Sequence, residues 1–98
     1  MGEILASPSE IKAKAEQLKG LNGQFKSEVE KMVGYQQSLN TMWEGEAKDK
    51  FNEAFNTDKG KWETFMKVIE QYVAAMLEIS STLEQAERTN IQIASQRA

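Results

Sequence analysis

Leu39-Asn40-Thr41-Met42-Trp43-Glu44-Gly45-Glu46-Ala47 lies near the middle of a 98-residue chain and joins two long runs with the same apolar rhythm. Upstream, positions 11, 15, 18, 22, 25, 29, 32, 36, 39 and 43 alternate steps of four and three. They read Ile11, Ala15, Leu18, Asn22, Phe25, Val29, Met32, Gln36, Leu39 and Trp43, and eight of the ten are apolar. Downstream the rhythm resumes with Phe51, Phe55, Asp58, Trp62, Phe65, Ile69, Tyr72, Met76, Ile79, Leu83, Ala86, Asn90 and Ile93, eleven of thirteen being apolar. Such spacing keeps one helix face apolar over several heptads and predicts two amphipathic helices. Between them, Gly45 can adopt backbone angles closed to other residues and so reverse the chain. Trp43 ends the first seam with a large apolar surface beside that reversal.

The first helix has a start signal in Ser7-Pro8-Ser9-Glu10: a capping serine, a proline tolerated at the first helical position, and a glutamate in capping-box spacing. The reading is a single all-α domain over 1–98, with helix 1 about 8–42, a bend at 43–45, helix 2 about 46–94 and flexible termini. Each helix of some 35 to 40 residues spans roughly 50–60 Å. A short connection folds the two back as an antiparallel hairpin. Gly20, Gly23, Gly34 and Gly60 interrupt the runs and predict local softening, with fraying near Asp58 to Gly60.

The apolar stripe is wider than one contact line needs. Leu21, Val33, Tyr35 and Met42 flank it in helix 1, and Ala54, Met66, Val68, Val73 and Ala75 in helix 2. A hairpin of this width predicts a dimer that forms a four-helix bundle, with Asn22, Gln36 and Asp58 as polar interruptions that fix register. The dimer and core seam is read as Leu18, Phe25, Val29, Met32, Leu39, Phe51, Phe55, Trp62, Phe65, Ile69, Tyr72 and Met76.

Composition narrows function. The chain has no cysteine and no histidine, so no disulfide, thiolate nucleophile, imidazole base or Glu-x-x-His metal pair is available. No EF-hand spacing of acids occurs, and neither an enzyme nor a cofactor site is expected. Twelve basic against fifteen acidic residues give a net charge of −3, with the lysines scattered among carboxylates, which argues against nucleic acid. The start Met1-Gly2-Glu3-Ile4-Leu5-Ala6 lacks a signal peptide's basic and apolar regions, and Ala6 breaks the myristoylation pattern. No run approaches the ~18 apolar residues of a membrane span.

Length, twin heptads, a central Trp43-Glu44-Gly45 and the Phe51-x-x-x-Phe55 after it together resemble the WXG100 family of ESAT-6-like proteins, over essentially the whole chain. The resemblance implies a non-catalytic, virulence-associated substrate of type VII (ESX/Ess-type) secretion, mostly of Gram-positive bacteria. Such a protein is cytoplasmic before export and is secreted as a folded dimer without a cleavable signal peptide. It implies recognition by a membrane-bound FtsK/SpoIIIE-type ATPase through a composite of the bend, here Trp43 and Gly45, and the C-terminal end of a partner's second helix.

The actinobacterial Tyr-x-x-x-Asp/Glu element is missing: Leu39 follows Tyr35 by four, and Met76 follows Tyr72. The longer Firmicute-type pattern places the C-terminal export signal at Ala86, Asn90, Ile93 and Arg97, with an amide where the family has an acid and an arginine in the last apolar slot. This favours a homodimer over a heterodimer with a related small protein. A second implied role is a helical targeting chaperone bound to a larger secreted toxin. A membrane-active effector ranks last, because an acidic chain lacks the basic face that holds amphipathic helices on lipid, and stable membrane insertion is not expected.

Overall fold

The structure, a computed structural model, describes residues 6–97, Arg97 by its backbone alone. It consists of two helices, α1 (Pro8–Asn40) and α2 (Glu46–Arg97), folded back on each other in a rod of 80 × 20 × 18 Å. The expected hairpin is therefore present, but its arms are unequal: 33 residues against 52. Helix 1 stops two residues before the expected 42, the connection spans 41–45 rather than 43–45, and helix 2 runs past 94 to Arg97. The segment 1–5 and Ala98, read as flexible termini, lie outside the described residues.

The start of α1 follows its sequence signal. Ser7 is extended at the N-cap, and its Oγ accepts from Glu10 N at 3.2 Å with Pro8 in the first turn. Both helices run unbroken through Gly20, Gly23, Gly34 and Gly60. The fraying expected near Asp58 to Gly60 is not found. A single glycine costs a helix only about 1 kcal/mol relative to alanine, less than the packing of the neighbouring turns against α1 returns.

Contacts between the arms fix the register. Asn22 Nδ2 donates to Met66 O at 3.1 Å, Gln36 Nε2 to Asn52 Oδ1 at 3.0 Å, and Ser80 Oγ to Pro8 O at 2.6 Å. The Phe25 and Phe65 rings meet edge-on at 5.5 Å. Each pair is centred on residues 44–46, so the arms are antiparallel and in step along the whole of α1. Among the described residues there are four ion pairs, each within a single helix: Glu28–Lys31 on α1, and Glu46–Lys50, Lys59–Glu63 and Glu84–Arg88 on α2. Exposed pairs of this kind add little, and none joins the arms. The hairpin is held by packing and amide contacts.

The seam on α2 is phased differently from the sequence reading. From Phe55 on, a series of buried or half-buried residues runs Phe55, Lys59, Trp62, Met66, Ile69, Val73, Met76, Ser80 and Leu83. The apolar spacing puts Asp58, Phe65, Tyr72 and Ile79 on the seam. They stand one residue earlier, at the edge of that series, and are exposed, the last three to 52%, 57% and 52%, although Phe65 still reaches Phe25 from this edge. On α1 the series from Ile11 to Gln36 is buried or half-buried, but Leu39 is 41% exposed and Asn40 takes the inward place. The two series share Phe55, Trp62, Ile69, Met76 and Leu83 and keep the same 3.5-residue repeat, so they differ only in which side of that common stripe is turned toward α1. Buried apolar residues are few among those described: Ala15, Val29 and Val73, with Pro8 and Ser80 beside them.

Candidate functional site

The bend is built from three local devices. Helix α1 ends in a tightened turn: Thr41 N donates to Ser38 O at 3.2 Å, Thr41 Oγ1 donates to the same carbonyl at 2.7 Å, and Met42 N donates to Leu39 O at 2.9 Å. These bonds satisfy carbonyls that a helix end leaves free. Gly45 then takes φ +95°, the one positive φ among the described residues. Its carbonyl accepts from Asp49 N at 3.1 Å, which closes the first turn of α2. A Cβ at position 45 would meet open space, so glycine is needed there for its backbone angle rather than for room.

Trp43 lies half-buried against α2. Its ring stands 5.5 Å from Phe51, tilted 58°; Phe51 stands 5.9 Å from Phe55, and Phe55 meets Trp62 edge-on at 5.5 Å. Four of the aromatic residues thus form one ladder from the bend along α2. Such pairs add about 0.5–1.5 kcal/mol each beyond area burial. The indole Nε1–H is buried with no acceptor, and an orphaned donor costs about 1–3 kcal/mol.

About 100° further round α2, a row of amides faces α1. Gln36 Nε2 donates to Asn52 Oδ1 at 3.0 Å and to Asn56 Oδ1 at 3.2 Å, and Asn52 Nδ2 donates to Asn40 Oδ1 at 2.9 Å. Of this cluster the sequence reading singled out only Gln36. The signal was available: folding the chain about residues 44–46 brings 36 opposite 52 and 56, and 40 opposite 52. The Ser80 contact to Pro8 was likewise not anticipated, and the same folding predicts it.

The residues read as the C-terminal export signal lie far from the bend. Ala86, Asn90 and Ile93 are exposed on the part of α2 that extends past the start of α1, and the side chain of Arg97 lies outside the described residues. Asn90 is roughly 65 Å along the helix from Gly45 at about 1.5 Å per residue. Within one chain, therefore, the structure does not bring the two sets together. Among the described residues no group of three or more His, Cys, Asp or Glu side chains is arranged to hold a metal ion. No described helix is long and apolar enough to cross a membrane.

A long antiparallel hairpin bent at a Trp-x-Gly turn defines a class of small helical proteins, and both sequence and fold comparisons lead to it. The family described as "Proteins of 100 residues with WXG" (WXG100) matches residues 3–90. This chain belongs to that family, which contains the non-enzymatic, ESAT-6-like secreted helical proteins of type VII secretion. Among solved structures, the selenomethionine-labelled secreted protein EsxB of Bacillus anthracis str. Sterne superposes with a TM-score of 0.79 at 23% identity, covering 89% of this chain and 99% of that one. Wild-type EsxB in another crystal form gives 0.78 at 24% identity, covering 85% and 89%. At these identities the likeness is one of fold. No curated protein sequence matches significantly.

Proposed function

We propose that this protein is a non-catalytic substrate of a type VII secretion system, exported as a folded homodimer that presents Trp43 and Gly45 together with the partner's C-terminal helix to the export ATPase. The reading is carried by the separation just described. The bend and the free end of α2 sit at opposite ends of an 80 Å rod. A recognition surface made of both therefore needs two chains laid antiparallel. The solved relatives are described as secreted proteins, which fits export of this chain.

The exposed surface supports a second copy. The chain of 11.1 kDa exposes 7837 Å², where a globular monomer of that mass exposes roughly 5,700 Å². Two flanks left uncovered by the hairpin adjoin through the Phe25–Phe65 contact: Leu21 and Leu39 on α1, and Phe65, Tyr72 and Ile79 on α2, all exposed. A continuous apolar face of this kind marks an interface, and the excess, roughly 2,000 Å² per chain and so about 4,000 Å² for a pair, falls within the total that obligate dimers bury. Sedimentation at micromolar concentration is expected to give a dimer. A monodisperse, folded monomer would remove the two-chain signal.

Export is tested by fractionating a culture of the native host and blotting supernatant and lysate for wild type and Trp43→Ala, with a cytosolic marker to exclude lysis. Wild type is expected outside and the mutant, still helical by circular dichroism, inside. If neither leaves the cell without a co-expressed larger protein, the role is that of a targeting chaperone for a secreted toxin and Trp43 is a turn lock.

A further inference from the structure

Three observations meet at Trp43. Its Nε1–H is buried without an acceptor, although the side chain as a whole is only half-buried. Its ring contact is Phe51, tilted at 58°. Its backbone is loosely tied: the chain is bonded at Met42 N and again at Gly45 O, while the N–H groups of Trp43, Glu44 and Gly45 have no intrachain acceptor among the described residues. Met42, Glu44 and Gly45 are all exposed around it.

The inward indole gains apolar contact with the ladder and loses the hydration of its N–H. Turned outward, it regains a partner for the N–H in water and gives up that contact. The two effects oppose each other and are of similar size. No hydrogen bond from the indole holds it inward. A side chain so placed has two competing positions where a well-satisfied core tryptophan has one.

We propose that Trp43 is a two-position latch: inward, packed against Phe51 with its donor unpaired, and outward, with the donor and ring face offered at the tip of the rod. The outward position is populated in the free protein through side-chain rotation, without unfolding of the bend. That the outward indole is what an export partner captures rests on the function proposed above. The existence of the two positions does not, and it is testable in the isolated protein whether or not the chain is secreted.

The experiment uses full-length Trp62→Phe, which keeps a ring beside Phe55 and leaves Trp43 as the sole indole. Solvent exchange of the ¹⁵N-labelled indole N–H is compared with that of two backbone amides, Phe55 in the adjoining turns of α2 and Val73 in the buried seam. The latch predicts an indole protection factor at least tenfold below both. It also predicts that Phe51→Ala in the same background raises acrylamide quenching of Trp43 at least twofold, with the helical circular dichroism unchanged. Indole protection equal to that of Phe55 would mean that the ring is freed only when the bend unfolds, and protection equal to Val73 only when the whole chain does. Either result overturns the latch. Failure of Trp43→Ala to affect export, with rapid indole exchange retained, would instead overturn the role proposed for the bend and leave the latch standing.

Discussion

The two ends of the rod differ in what holds them. At the bend, the chain supplies its own structure: a ladder of four rings, a row of four bonded amides, a tightened helix end and a glycine at φ +95°. At the far end, the buried Ser80 hydroxyl bonds to Pro8 O, and past that point α2 leaves its companion. Every described side chain from Glu84 to Gln96 is exposed, Ile91 and Ile93 included. An isolated helix of such a length is marginal in water. It persists here as the continuation of a packed helix, with one exposed i,i+4 pair, Glu84–Arg88, along it. One end is held by contacts within the chain, and the other presents side chains that the rest of the described chain does not cover.

The contrast is broken most forcefully at the ladder. Trp62→Ala removes the ring that anchors Phe55 and is expected to lower unfolding free energy by about 3 kcal/mol in denaturant titration. A change below 1 kcal/mol would mean that the rings ornament the bend without holding it. Midway along the rod, Asn22 sits in the seam with its Oδ1 buried and unpaired while its Nδ2 serves Met66 O. Asn22→Leu is expected to raise stability by about 1–2 kcal/mol, since removing an unsatisfied polar group outweighs one hydrogen bond to a carbonyl already within a helix.

Gly45→Ala forces a Cβ into a left-handed backbone and should cost about 1 kcal/mol, with helicity retained because nothing clashes with the new methyl. The smallest effect is expected at the other end. Measured below the concentration at which the chain dimerises, deleting residues 85–98 should shift the denaturation midpoint by no more than about 0.5 kcal/mol equivalent, as for surface changes generally. A large loss there would mean that the overhang already has a stabilising partner, and its dependence on protein concentration would identify that partner as a second copy.

Much of this architecture was legible residue by residue. Ser7, Pro8 and Glu10 announced the start of α1, Gly45 announced the reversal, and the twin heptads announced two arms with an apolar face. These signals act within a turn or two of helix, so sequence order alone carries them. The phase of the α2 seam was not legible in the same way. Phe65, Tyr72 and Ile79 make as good an apolar series as Met66, Val73 and their neighbours, and neither series states which of them α1 will cover.

Capping, backbone freedom at glycine and apolar periodicity were therefore enough to specify two helices and a bend. The choice of inward stripe, the bonding of Gln36 and Asn40 to Asn52, the closure of Ser80 on Pro8 and the stranding of α2 beyond Leu83 arose only when the arms were brought together. Each depends on groups separated by 12 to 72 positions in the chain. Directional bonds and close packing between such distant residues exist only at the distances the folded hairpin sets.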